Sequence, residues 1–169
     1  MSSNHKCAVA VTLAAALVFA AAFMPWGQIS GAPEILAGSP FGEGGPFGEG
    51  GPFGGKPFGG MELTFTVTGW NGNVSLGGMK MPNWLVVLAA GGVAALCWLK
   101  SLAVWNAPLV APMVLAAYGL FHAGFAIFLL SASDEASLGI GSVLTAAAFV
   151  VMLVMLVREF EAGKAANSA

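Results

Sequence analysis

The stretch LGIGSVLTAAAFVVMLVMLV, residues 138–157, is apolar for 20 residues and contains no charged side chain. The hydrocarbon core of a bilayer is about 30 Å thick, and an α-helix needs roughly 20 apolar residues to cross it. Three further apolar stretches, one of them interrupted by a single lysine, lie upstream at residues 8–24, 84–105 and 107–130. Because only helices and closed barrels satisfy their own backbone hydrogen bonds in lipid, the pattern predicts an all-α membrane protein, a bundle of four transmembrane helices.

The composition agrees with a membrane protein. Of the 169 residues 57% are hydrophobic and 8% are charged, whereas about 25% of the residues of an ordinary soluble domain are charged. The net charge of −2 and the absence of any cluster of Lys and Arg argue against a nucleic-acid partner. Two cysteines, Cys7 and Cys97, are too few for a disulfide framework, and we expect them to pack as small apolar residues.

The first apolar stretch belongs to an N-terminal segment, residues 1–26, for which there are two interpretations. A short polar start with Lys6 and small residues at 20–22 would suit a secretory signal peptide that is cleaved. However, the apolar run of 17 residues is longer than the usual signal core and continues past the candidate cleavage site. We therefore favour a retained helix, with Trp26 as its anchor at the membrane interface.

The second and third apolar stretches predict a helical hairpin. The second helix is placed at residues 82–105, with Pro82 in its first turn and Lys100 reaching the lipid headgroups near its end. The third helix is placed at residues 107–130, so that the connection is short enough to require an antiparallel pair. Interfacial anchors are expected from Trp84, Trp98 and Trp105.

Basic residues near the helix ends predict the orientation. With the fourth helix at residues 137–158 and a tail at 159–169, both termini lie on the same side of the membrane. That side holds four basic residues, namely Lys6, Lys100, Arg158 and Lys164. The other side holds two, namely Lys56 and Lys80. Because Lys and Arg are enriched on the cytoplasmic side, we expect cytoplasmic N- and C-termini in a bacterial inner membrane.

Residues 27–81 form the only sizeable segment outside the predicted helices, and its middle is a degenerate Pro-Phe-Gly repeat at residues 39–60. Glycine increases backbone freedom and proline interrupts regular pairing, so we interpret the repeat as a flexible linker. The alternative is that its phenylalanines insert into the membrane interface or into a partner. These are Phe41, Phe47, Phe53 and Phe58.

The end of the same segment, residues 61–77, predicts an extracytoplasmic β-hairpin. Apolar residues alternate with polar ones at Leu63, Phe65 and Val67. Asn71-Gly72 is a typical two-residue hairpin turn, after which residues 73–76 would return as the second strand. Residues 27–31 would add a third strand to a small sheet between helices 1 and 2. Trp70 is then either a cap on the apolar face of that sheet, which we favour, or a contact residue of the outer loop.

One ionisable side chain, His122, lies deep within an uninterrupted apolar stretch, and Tyr118 lies one helical turn before it on the same face. Ionisable groups inside a membrane are candidates for function, here a proton relay or a contact with a quinone. The alternative, which we favour, is a neutral imidazole that hydrogen-bonds a neighbouring helix. The expected partners are Thr12, Ser142 and Thr145.

Small residues on the fourth stretch predict a helix-packing face. Gly141, Thr145 and Ala148 share one stripe, and small side chains at this spacing allow helices to approach closely. The face would serve either within the bundle or between copies of the chain.

The order of elements, a helix, a long outer loop with a small sheet and then three closely spaced helices, resembles the claudin-type four-helix topology. Trp26 and the residues Gly-Trp-Asn-Gly at 69–72 are similar to the tryptophans of the claudin loop signature, although the loop contains no cysteine to match that signature's pair. Met-Pro-Trp-Gly at 24–27 and Pro-Asn-Trp at 82–84 resemble small bacterial four-helix membrane proteins. That second resemblance implies no activity.

The sequence contains no recognisable catalytic or metal-binding motif, so we expect no enzymatic activity and no cofactor. The leading hypothesis is a structural or accessory membrane protein whose outer loop contacts another copy of the chain or a membrane-protein partner. The alternative is a small oligomeric channel or transporter with pores between subunits, for which the helices offer few polar residues. A membrane enzyme ranks third, because it would need an acid–base pair that the apolar stretches lack.

Overall fold

The computed structural model describes residues 3–31, 63–76, 79–104, 109–132 and 136–167. Within these ranges the chain forms four α-helices and five short strands. The helices are α1 (Ser3–Ala21), α2 (Trp84–Ser101), α3 (Val110–Ser131) and α4 (Ile140–Asn167). The strands are β1 (Pro25–Gly31), β2 (Leu63–Thr68), β3 (Asn73–Leu76), β4 (Met79–Pro82) and β5 (Ala136–Leu138).

The helices form a bundle in which each packs against two neighbours, in the cyclic order α1, α2, α3, α4. The most deeply buried apolar side chains include Val11, Val18, Val93, Phe149 and Met152. Large apolar side chains also cover the outside, among them Leu13, Leu88, Val114 and Phe128. Helices that are apolar all round are typical of a membrane protein. All four are long and apolar enough to cross a bilayer, which confirms the predicted helical architecture with four candidate spans.

The end of α2 is set by local hydrogen bonds rather than by hydropathy. Ala103 has a positive φ of 56°. The N–H of Ala103 donates to the carbonyl of Lys100 at 3.0 Å, and the N–H of Val104 donates to that of Leu99, also at 3.0 Å. This is the Schellman pattern that terminates helices. The predicted continuation of the second helix through residue 104 is therefore wrong.

Other helix ends also differ from the predicted bounds. Pro82 belongs to β4 rather than to the first turn of α2, which begins after Asn83. The fourth helix begins at Ile140, because the residues just before it form β5. It continues to Asn167, so most of the predicted tail is helical, and the ammonium of Lys164 lies 5.0 Å from the ring centre of Phe160 one turn earlier.

A three-stranded antiparallel sheet lies at one end of the bundle, with the strands in the order β2-β1-β5. In its middle strand Ile29 is opposite Phe65 of β2 and Ala136 of β5. The strand predicted at residues 27–31 is thus present. β5, which comes from the connection between α3 and α4, was not predicted because three residues are too few to show an alternating pattern.

A β-hairpin is present too, but it joins β3 to β4, and the predicted pairing of residues 73–76 with β2 is wrong. The reason lies in the turn. The side-chain oxygen of Asn71 accepts hydrogen bonds from the N–H and the hydroxyl of Thr68, at 2.7 and 2.8 Å, and so closes the end of β2. Gly72, with φ of 108°, then presents its carbonyl to the N–H of Asn83 at 3.2 Å. The chain therefore passes beside the start of α2 at Gly72 and enters β3 there, instead of returning along β2.

Trp26 fixes the sheet to the bundle. Its side chain is only 1% exposed, so the prediction that it anchors the chain at the membrane interface is wrong. Its indole N–H donates to the carbonyl of Ala21 at 3.3 Å. Its own carbonyl accepts hydrogen bonds from the N–H of Gly139 at 2.8 Å and from the hydroxyl of Ser142 at 3.1 Å. We call this end of the bundle, at Ala21, Asn83 and Gly139, the sheet end.

Some predictions lie outside the described residues. They concern the repeat at 39–60 with its four phenylalanines, the basic residue Lys56, and Trp105 as an interfacial anchor.

Candidate functional site

His122 is fully buried on α3. Its Nε2 atom lies 3.3 Å from the side-chain oxygen of Asn83, the residue directly before α2. The side-chain nitrogen of Asn83 donates to the carbonyl of Thr68 at 3.1 Å, which leaves the amide oxygen as the acceptor for His122. The histidine therefore donates from Nε2. Its other nitrogen, Nδ1, is buried and makes no hydrogen bond with any residue that the structure describes.

Asn83 connects this histidine to the segment outside the bundle. Its side chain is 2% exposed and makes no capping bond to α2, although asparagine at this position usually caps the helix that follows. Instead the side chain bridges His122 and Thr68, while its backbone N–H donates to Gly72. A single residue thus links α3, the end of β2 and the start of α2.

Tyr118 lies beside His122, as the spacing of one helical turn predicts. The two ring centres are 6.0 Å apart at an interplanar angle of 62°, an edge-to-face arrangement. The tyrosine is only half-buried, whereas the histidine is fully buried. The pair is therefore an aromatic contact in which His122 is buried and Tyr118 is partly exposed at the surface of the bundle.

The partners expected for His122 make other hydrogen bonds. The hydroxyl of Thr12 donates to the carbonyl of Ala8, and that of Thr145 donates to the carbonyl of Gly141, both at 2.8 Å. The hydroxyl of Ser142 lies close to two carbonyls at the sheet end. Asn83 was missed as the partner, although its position at the polar border of an apolar stretch was a usable signal.

The chemistry available at this site is hydrogen bonding by an imidazole. The histidine offers one donor, already used by Asn83, and one buried acceptor nitrogen. Within the described ranges no three His, Cys, Asp or Glu side chains come together as metal ligands would. The geometry supports the interpretation of His122 as a structural hydrogen-bonding group, and its Nδ1 has no partner among the residues that the structure describes.

The predicted packing face on α4 lies inside the bundle. Gly141, Thr145 and Ala148 are all buried. A Cβ atom added at Gly141 would come within 2.8 Å of the carbonyl oxygen of Ala21 and within 2.9 Å of that of Pro25, so the backbones of α4 and the end of α1 are in close contact there. Among the described residues the stripe therefore packs within one chain.

Trp70 lies at the sheet end and is 43% exposed. Its indole contacts Phe19 of α1 and Phe23, two residues after α1 ends, with ring centres 5.9 and 5.7 Å away. The described ring contacts of Trp70 are thus made with the end of α1 and the residues just after it.

A second polar group joins α1 and α2 near the other end of the bundle, and the sequence did not indicate it. The indole N–H of Trp98 donates to the hydroxyl of Thr12 at 2.8 Å. The ring of His5 packs edge-on against Trp98 with centres 5.2 Å apart, and its Nδ1 lies 3.4 Å from the hydroxyl of Ser101. These contacts fix the first half of α1 to the last turn of α2.

Comparison with models of known protein families, with curated proteins and with solved structures gives no match. The resemblances to claudin-type proteins and to small bacterial membrane proteins therefore stay predictions. The fold and the site define the protein only as a bundle of four apolar helices with a small sheet attached at one end.

Proposed function

We propose that this protein is a non-enzymatic integral membrane protein whose sheet end makes contact with a protein partner, either a second copy of the chain or another membrane protein. The observation that carries the proposal is the construction of the sheet from two separate parts of the chain, β1 and β2 on one side and β5 on the other. Hydrogen bonds through Trp26 and Asn83 fix it to the helices. A rigid surface of this kind is suited to recognition, since little ordering is required on binding.

The proposal places the four helices across a bacterial inner membrane, with both termini in the cytoplasm and the sheet end outside. The distribution of basic residues supports this orientation. The burial of Ala8, Val11 and Val18 of α1 against the other helices supports its retention, because a cleaved signal peptide would leave the bundle without one wall. N-terminal sequencing of the mature protein tests retention directly, and a chain that begins after residue 20 would contradict it.

The edges of the sheet are the surface proposed for contact. β2 and β5 are its outer strands, and edge strands carry unpaired backbone groups that can pair with another chain. Ser137 of β5 and Thr66 of β2 have exposed side chains. A partner that adds a strand or packs over either edge would cover both the backbone groups and these side chains.

Site-specific photo-crosslinking in the native membrane tests the proposal. A photoreactive phenylalanine analogue is placed at Ser137 or at Thr66, and as a matched control at Val150, an exposed residue of α4. We expect a discrete protein adduct of one size from the edge positions and none from position 150. Differently tagged copies of the chain then show whether the adduct is a homodimer.

Edge positions that yield no protein adduct, together with specific and saturable solute flux in liposomes that contain the purified protein, would favour the channel or transporter.

A further inference from the structure

Three aromatic side chains form an exposed cluster beside the sheet. Phe19, Phe23 and Trp70 are 51%, 64% and 43% exposed, respectively. Their ring centres lie 5.4 to 5.9 Å apart in all three pairs, so each ring contacts the other two. We call these three residues the aromatic cluster. Two of them come from α1 and the residues just after it, and the third comes from the turn that follows β2.

The position of Trp70 in this cluster is fixed by its neighbours in the chain. The N–H of Gly69 donates to the carbonyl of Ala22 at 3.0 Å. The two backbones approach so closely that a Cβ atom at Gly69 would lie 2.7 Å from the Cα of Ala22. On the other side, Asn71 closes the turn onto Thr68. The indole is therefore held against α1 by main-chain contacts.

The cluster lies where a membrane span ends. Phe19 belongs to the candidate span Asn4–Ala21, and Phe23 follows two residues after its last residue. Trp84, 41% exposed, begins the candidate span of α2 at the same end of the bundle. Tryptophan is enriched at this boundary because its ring is apolar and its N–H is polar.

The cluster also continues a surface that already faces away from the other helices. Phe19 lies on the same stripe of α1 as Ala16, which is also exposed, and Phe23 follows just after the end of the helix. In an inserted bundle an exposed stripe of a spanning helix faces lipid, and Phe19 lies on this stripe near the end of the candidate span. Trp70 packs directly against that ring, and the same lipid surface extends to the indole.

We propose that the aromatic cluster is a lipid-binding surface, which seats the sheet on the headgroup boundary of the leaflet at the sheet end. Trp70, rather than Trp26, is then the interfacial anchor of this part of the chain. The inference rests on the membrane insertion proposed above, but it assigns Trp70 to lipid and leaves the sheet edges for the protein partner.

Fluorine NMR of the full chain labelled with 5-fluorotryptophan tests this assignment. The protein is placed in nanodiscs of phosphatidylethanolamine and phosphatidylglycerol, and the variants W70F, W84F, W98F and W105F assign four of the five tryptophan signals. The remaining signal belongs to Trp26. Lipid spin-labelled at the headgroup, lipid spin-labelled at the chain end and a water-soluble gadolinium chelate are added in separate samples.

We expect loss of the Trp70 signal with the headgroup label and its persistence with the chain-end label. The Trp84 signal should also be lost with the headgroup label, while that of the buried Trp26 should be broadened less than that of Trp70 by the same label. A Trp70 signal that the gadolinium chelate removes and the headgroup label spares would overturn the lipid assignment. A Trp70 signal that survives every agent would overturn it too, because protein would then cover the indole.

Failure of the helices to insert into the bilayer would give a different set of signals. If the Trp84 and Trp98 signals are also untouched by both lipid labels, the helices are not in the bilayer, and the proposed function fails together with the lipid assignment.

Discussion

Asn83 divides its side-chain amide between two parts of the molecule. The oxygen accepts from His122 inside the bundle, and the nitrogen donates to the carbonyl of Thr68 at the end of β2. The amide holds both His122 and Thr68 in place, because buried polar groups are costly when they lose their hydrogen-bond partners. The other nitrogen of the histidine has no partner among the described residues, so the contact with Asn83 is its one hydrogen bond within that part of the chain.

A double-mutant cycle of Asn83 and His122 measures this dependence. We expect Asn83→Ala to lower the free energy of unfolding by about 1–3 kcal/mol, since it leaves a buried imidazole unpaired. In a chain that already carries His122→Phe, the same substitution should cost less, because only the bond to Thr68 is then lost. Chemical unfolding in detergent micelles, followed by tryptophan fluorescence, gives the four free energies.

Tyr118→Phe provides the control for that cycle. It changes the neighbour of His122 but leaves the bond to Asn83 in place, so it should show no coupling with Asn83→Ala. Equal losses from Asn83→Ala with and without His122 would mean that the 3.3 Å contact contributes nothing.

The sequence could identify His122 but not its partner. A lone ionisable residue in an apolar stretch is visible in one dimension, whereas the choice among Thr12, Ser142, Thr145 and Asn83 depends on which side chains have carbonyls nearby. The prediction that Trp26 is an interfacial anchor was wrong for a related reason. Its position after α1 is typical of an interfacial anchor, but Trp26 belongs to β1 and its side chain is buried against the bundle, which the sequence pattern does not show.

At the scale of helices, the contact between α3 and α4 depends on a ring packed over a glycine. A Cβ atom at Gly119 would overlap the ring of Phe149, which is itself fully buried. Gly124, about one and a half turns further along α3, has no neighbour within 4 Å of the place where a Cβ would lie. Of these two glycines of α3, the first has no room for a side chain and the second has open space beside it.

These two glycines give a matched pair of variants. We expect Gly119→Ala to lower the free energy of unfolding by about 1–3 kcal/mol, because the added methyl group forces Phe149 out of its place. Gly124→Ala should leave the stability unchanged or raise it slightly, since alanine favours the helix and meets no neighbour. Thermal unfolding in the same detergent compares the two, and similar losses for both would contradict the packing described for Phe149.

Hydropathy predicted the existence of all four helices, since an apolar run of this length has few alternatives. It did not predict where they end. The end of α2 depends on the left-handed conformation of Ala103, and the start of α4 depends on the three preceding residues joining a sheet. Such ends are decided by hydrogen bonds between a few residues, and a hydropathy average does not detect them.

At the scale of the whole molecule, the proposed orientation places the sheet end and the end of α4 on opposite sides of the membrane. Thr66 of β2 and Gly163 near the end of α4 both have exposed positions. We expect Thr66→Cys to react with a membrane-impermeant maleimide on intact cells, and Gly163→Cys to react only after the cells are permeabilised. The native Cys7 and Cys97 are buried and should give little background.

The unmodified chain, labelled in the same way, controls for that background. Reaction of Gly163→Cys in intact cells, with protection of Thr66→Cys, would reverse the orientation. The helical layout itself would remain.

The pairing of β1 with β5 has a consequence for biogenesis. Ile29 and its partner Ala136 are 107 residues apart in the chain, so the ribosome has made three of the four helices before the last strand of the sheet exists. At a synthesis rate of roughly 5–20 residues per second, one edge of β1 has no β5 to pair with for on the order of 5–20 s. During that interval a nascent chain exposes an incomplete edge, which is open to premature pairing with a neighbouring copy. Translation that stalls within α3 would prolong this vulnerable state.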